Sequence, residues 1–130
     1  MESLLTGSVL WSYDFEINQQ EPVRRLLTHV SGMTPIHSHQ GEIMLTGKGL
    51  TIVGDMNLYI NNDEFEQLYL GFDEIFTRAM VKNFGLFWQP LRITFNKGHH
   101  RETIYLIIDY KMFIAKGNKT WFNALQQVLS

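Results

Sequence analysis

The chain has 130 residues, of which 45% are hydrophobic and 18% charged, a balance that suits one folded domain and leaves too little chain for two comfortable cores. Thirteen acidic residues against eleven Lys and Arg give a formal net charge of −2. With no basic run among them, nucleic acid is excluded as an expected partner, and so is charge-driven docking on anionic lipid. The absence of cysteine excludes disulfides, thiol nucleophiles and Cys-based zinc sites.

The first ten residues lack the basic and apolar regions of a signal peptide. No run approaches the roughly 20 apolar residues of a membrane helix. A cytoplasmic location, with no transmembrane segment, is the expectation. The alternation of Trp11, Tyr13 and Phe15 predicts a strand over Val9–Ile17. Pro22 opens a segment whose apolar stripe, Val23, Leu26, Leu27 and Val30, predicts a short helix over Glu21–Val30. Residues 1–40 are read as an extension ahead of a core at 41–130, the whole forming a single domain over 1–130.

The core opens with a hairpin. Gly41–Thr46 and Leu50–Val53 alternate on either side of Gly47-Lys48-Gly49. Gly54-Asp55 marks a turn, Leu58 and Ile60 a short strand, and Asn61-Asn62-Asp63 a second turn. Phe65, Leu68, Leu70 and Phe72 lie in the next β-rich run. Residues 73–84 fit a helix capped by Asp73 and stopped by Gly85. They fit equally a strand through Ile75–Arg78 followed by a loop. Beyond Pro90, Leu91, Ile93 and Phe95 alternate with polar residues, Asn96–Arg101 reads as a polar turn, and strands follow over Thr103–Ile108 and Tyr110–Ala115 with a junction near Asp109. The chain closes on an amphipathic helix. Asn118 is its expected cap, and Trp121, Phe122, Ala124, Leu125, Val128 and Leu129 share one face. A helix this short must bury that stripe against the sheet.

The fold class is therefore mainly β. Seven short strands followed by one helix with Trp121 near its start resemble the pleckstrin-homology-like fold, a seven-stranded orthogonal sandwich or barrel capped by a C-terminal helix. The run Gly41–Val53 is similar to the first hairpin of bacterial members, and Leu68–Asp73, Pro90–Phe95 and Thr103–Leu106 to later strands. The resemblance implies a scaffold that binds proteins or peptides and carries no cofactor. Head-group binding in that family draws on basic residues in the first hairpin loop, which here offers only Lys48.

A second resemblance runs through Gly32–Gly49. His37-x-His39 with Glu42 is similar to the first metal motif of the cupin family, and implies His37, His39 and Glu42 as ligands. Residues two apart on a strand share a face, so both imidazoles could reach one ion. Glu42 falls on the opposite face unless a bulge intervenes, and His99-His100 lacks the second cupin motif. The acidic pairs Asp63-Glu64 and Asp73-Glu74 sit in turn-like contexts suited to caps and solvated surface. Ser8, Ser12 and Ser31 have no nucleophile-elbow setting. No catalytic residue is assigned. Phe84, Phe87 and Trp88 cluster outside any clear strand and either fold into the core or form an apolar patch for a partner. The functional expectation is a non-enzymatic interaction module for a protein or peptide partner, able to form a homo-oligomer through an edge strand; the alternative is a small cupin-like metalloprotein using His37 and His39.

Overall fold

The computed structural model describes residues 3–18, 37–78, 88–111 and 114–129. The predicted helix over Glu21–Val30 lies outside them. Seven antiparallel strands form one sheet in the order β4-β3-β2-β1-β7-β6-β5. They are β1 (Ser3–Tyr13), β2 (His39–Thr46), β3 (Gly49–Gly54), β4 (Leu58–Asn61), β5 (Phe65–Leu70), β6 (Leu91–Lys97) and β7 (His100–Ile108). A helical turn, α1 (Asp14–Asn18), follows β1, and α2 (Asn118–Leu129) ends the chain.

The number of strands in the sheet is as expected, but their membership differs. The N-terminal segment set aside as an extension supplies the middle strand. β1 pairs with β2 from Ser3↔Thr46 to Trp11↔His39, and with β7 from Val9↔Ile108 to Tyr13↔Ile104. The run Tyr110–Ala115 stays outside the large sheet and folds on itself as β8 (Tyr110–Lys111) against β9 (Ile114–Ala115). Asp109 is the cause of the break. Its φ of 53° turns the chain after β7. Its amide donates to the Ser8 carbonyl, and its carboxylate accepts the Ser8 amide.

The sheet must curl. Seven strands about 4.8 Å apart would span roughly 29 Å if flat. Yet its two end strands, β4 and β5, are joined by only Asn62–Glu64, and the four steps from Asn61 to Phe65 reach about 14 Å at most. The ends are therefore drawn to one corner. Both halves of the sheet then face one interior, where Val9, Trp11, Ile43, Leu45, Ile52 and Ile60 share a cluster with Leu91, Ile93, Ile104 and Leu106. Trp121 and Leu125 of α2 fill that interior, both buried.

Tight turns set the registers. Thr46 pairs with Gly49 across Gly47-Lys48, and Lys97 with His100 across Gly98-His99. Gly98, at φ 63°, occupies the position that a two-residue hairpin of this kind reserves for glycine. The polar stretch Asn96–Arg101 is thus mostly paired strand, and the loop is two residues long. Asn118 is no simple cap. It is buried, its Oδ1 accepts the Ile108 amide at 2.8 Å, and its Nδ2 donates to the Gln89 and Leu106 carbonyls. It stitches the start of α2 to the end of β7 and to the approach to β6.

β7 is buried on both faces from Ile104 to Ile108. Ile104, Leu106 and Ile108 point to the interior. Tyr105 and Ile107 point outward beneath a second cluster of Ile17, Phe76, Trp88 and Ala115. Among the described residues, no helix is long and apolar enough to cross a membrane.

Candidate functional site

Polar chemistry or accessible volume concentrates at several places, among them an open cavity of about 630 Å³ beside Leu10, Gln40, Val53 and Ile107; three others bear on function. The first surrounds His39, the residue that opens β2. Facing Trp11 in register, it lies on the interior side of the strand and is 9% exposed. Its Nδ1 lies 2.8 Å from Asp55 Oδ2, in the β3–β4 turn, and its Nε2 lies 2.8 Å from Glu16 Oε2, in α1. Each carboxylate is anchored a second time: Asp55 Oδ1 accepts the Gln40 amide, and Glu16 Oε1 accepts the Tyr13 amide. The His39 bond, with the Gln40 amide, holds the Asp55 carboxyl below the usual carboxylate range. The Trp11 ring stacks at a tilt 4.5 Å from the imidazole, and Tyr13 lies between Trp11 and the exposed Phe15.

The second place is the loop after β5. Residues 71–76 are irregular, so neither a helix starting at Asp73 nor a strand starting at Ile75 forms there, and residues 79–84 of that expectation lie outside the described residues. The local role of Asp73 as a cap is nonetheless met, because Asp73 Oδ1 accepts the amides of Ile75 and Phe76. Its Oδ2 accepts the Tyr105 hydroxyl at 2.6 Å and Arg92 Nη1 at 3.0 Å. Arg92 also donates to Gln67 Oε1 and lies over the Tyr69 ring. Burial disfavours the Asp73 anion, but the Tyr105, Phe76, Arg92 and Ile75 donors outweigh it and keep its pKa below the usual range. Burial, reinforced by the Asp73 charge, raises the Tyr105 pKa.

The third place is a groove of about 560 Å³ between β5 and α2, lined by Asn62, Phe65, Glu66, Gln67, Leu68, Gln126 and Leu129. In register with β6, β5 slips at Glu66, which bulges out and meets Arg101 Nε at 2.6 Å. β5 ends the sheet, so among the described residues one of its backbone edges has no partner strand.

The residues singled out from the sequence fall differently. His39 is buried with both ring nitrogens on carboxylates, while Glu42 is exposed on the other face of β2. The register from Trp11↔His39 to Ser8↔Glu42 is continuous, so no bulge brings Glu42 round. His37 is half-buried just before the strand. Among the described residues, no group of three or more His, Cys, Asp or Glu is placed to hold a metal ion. Trp88 is not part of an exposed patch. It is 7% exposed and packs against Phe72 and Tyr110, while Phe84 and Phe87 lie outside the described residues. Glu16 and Asp55 were not singled out from the sequence. They lie 23 and 16 positions from His39, and no local spacing announces the meeting.

Comparison with protein-family models, with curated proteins and with solved structures returns no match.

Proposed function

We propose that this chain is a non-enzymatic binding module, a pleckstrin-homology-like roll that takes an extended peptide segment along the free edge of β5. The curled sheet, the strand order and the helix-filled interior support the architectural half of this reading. With Trp121 and Leu125 occupying the interior, binding belongs to the surface.

The observation that carries the reading is the pairing of an end strand with a groove. β5 presents six residues of strand whose outer edge has amides and carbonyls to offer. An added strand satisfies those groups directly, and side chains on alternate positions of the added strand would enter the groove beside α2. Phe65, Leu68 and Leu129 give that groove an apolar floor, and Asn62, Gln67 and Gln126 give it polar walls.

The test is selection from a displayed library of random 12-residue peptides. Gln126 is exposed on α2, so Gln126→Trp fills the groove without touching the interior. Peptides enriched on the native protein should lose at least about tenfold in affinity for the variant, one well-placed side-chain contact being worth that much. A native protein that enriches no peptide, or peptides that bind both proteins equally, would overturn the reading.

A further inference from the structure

His39 joins three parts of the chain that are remote in sequence: the start of β2, Glu16 of α1, and Asp55 of the β3–β4 turn. A carboxylate can only accept hydrogen bonds, whereas a neutral imidazole has one donor nitrogen and one acceptor nitrogen. A neutral ring would therefore donate to one carboxylate and turn a lone pair on the other. Only a ring carrying both protons can donate to Asp55 and Glu16 together at the observed 2.8 Å.

Among the described residues, the Trp11 ring beside the imidazole favours the same state. The Trp11 ring lies at a tilt with its centroid 4.5 Å from that of the imidazole, and an aromatic face attracts a cation; Tyr13 stands near-perpendicular at 6.4 Å. Burial, with the charges of Glu102 and Glu16, keeps the Tyr13 hydroxyl protonated beyond its usual range. Asp14, also in α1, is turned to the Phe15 amide. His37 precedes the ring on its own segment.

The two arms are unequal. The Glu16 side chain is 20% exposed and that of Asp55 is 47% exposed. When the ring gives up one proton, the more buried carboxylate has more need of the donor that is left, because water can reach Asp55 in its place. The surviving proton stays on Nε2, and the Asp55 arm is the one released.

The geometry points to a proton-operated clasp: His39 with both protons fastens the β3–β4 turn to the start of β2, and loss of the Nδ1 proton lets that turn open. Among the described residues, three further hydrogen bonds hold the turn. The Asp55 amide reaches the Gln40 carbonyl at 3.3 Å, Asp55 Oδ1 takes the Gln40 amide, and the Gly54 amide reaches Asn57 Oδ1 at 3.2 Å. Met56 at its tip is already exposed. The device sits at the base of β4, the end strand opposite β5 in the sheet order, and does not depend on the peptide site.

The test uses the full chain and two readouts. Nitrogen-15 spectra of the His39 ring report its protons, and hydrogen exchange, corrected for the intrinsic rate, reports protection of the Gln40 and Asp55 amides. As the pH is raised, the first proton the ring loses should come from Nδ1, leaving one on Nε2. Protection of the two amides should fall about tenfold in step, as expected for one lost charge-assisted hydrogen bond. Asp55→Asn keeps the shape and supplies an amide that can donate to a bare Nδ1, so its ring should carry one proton throughout and its protection should be level with pH. A ring that gives up the Nε2 proton first, amide protection that stays level when the ring loses a proton, or the native pH response persisting in Asp55→Asn would each overturn the clasp.

Discussion

Two polar clasps fasten loops to this sheet, and they use opposite chemistry. At Asp73 the acceptor sits at the centre and the donors come to it: the Tyr105 hydroxyl, the Arg92 guanidinium and two loop amides. At His39 the donor sits at the centre and two carboxylates come to it from different elements. Arginine does not lose its proton in the ordinary range, and an imidazole does. The first arrangement is therefore fixed in charge, whereas the second depends on one proton. A protein that needs a loop held permanently has reason to use the first, and one that needs a loop to yield has reason to use the second.

The largest expected effect tests the permanence of the Asp73 clasp. Asp73→Ala leaves the buried Tyr105 hydroxyl and Arg92 without their shared acceptor and frees two loop amides. Unfolding in urea should show a loss of about 2–4 kcal/mol, the range for stranding buried donors. A loss near zero would mean that water serves these groups as well as Asp73 does, and the loop would then be held by Phe76 and Trp88 packing alone.

The contrast sharpens with pH. A carboxylate whose pKa is lowered by folding contributes stability that is present above its unfolded value and lost as the pH falls through the folded one. Asp73 is of this kind. The Tyr105 shift is upward, so its contribution is present below the ordinary tyrosine range and is lost only as the pH rises through the raised value. Between about pH 6 and pH 9 neither titrates, and the cost of Asp73→Ala should be level. His39→Leu, which has no donor to offer Glu16, should behave differently. Its cost at pH 6 should be about 1–2 kcal/mol, mainly from depriving Glu16 of its buried donor. The cost should shrink once rising pH removes the Nδ1 proton, because the native protein then loses one arm of its own. It should not vanish, since Glu16 keeps the Nε2 proton. Equal pH slopes for the two variants would erase the distinction between the clasps.

Little of this was legible in the sequence, for reasons that can be named. Period-2 alternation placed Gly41–Thr46, Leu50–Val53 and Leu91–Phe95 within a residue or two of the observed strands, because their alternating apolar side chains all turn to the interior; the polar face of Leu91–Phe95 is nevertheless covered, with Thr94 buried. Trp121 and Leu125 were readable because a short amphipathic helix can be stable only when packed. The Ser3–Ser8 part of β1 has no such signal, because it mixes Ser, Thr and Gly with Leu and blurs its alternation; only pairing with β2 and β7 makes it part of the central strand. Asn118 read as a cap because Asn is common there, whereas its partners Gln89, Leu106 and Ile108 are set by tertiary packing. The His39 clasp shows the same limit. The histidine stood out, but its chemistry depends on two carboxylates that only the fold delivers.

The smallest expected effect is a control for what makes either clasp matter. Arg101 and Glu66 form an ion pair at 2.6 Å, shorter than any contact in the His39 clasp, between side chains that are 67% and 36% exposed. If short distance and opposite charge were sufficient, Glu66→Ala would cost as much as breaking a clasp. Water solvates both ends of this pair, however, and removing one partner strands nothing in a dry place. Urea unfolding of Glu66→Ala should therefore show a change below about 0.5 kcal/mol. Raising the salt should alter it further, since exposed charges are screened. A cost approaching that of Asp73→Ala would shift the explanation of both clasps from burial to charge. A negligible cost would leave burial of the central group, Asp73 in one case and His39 in the other, as the property that turns a surface contact into a fastening.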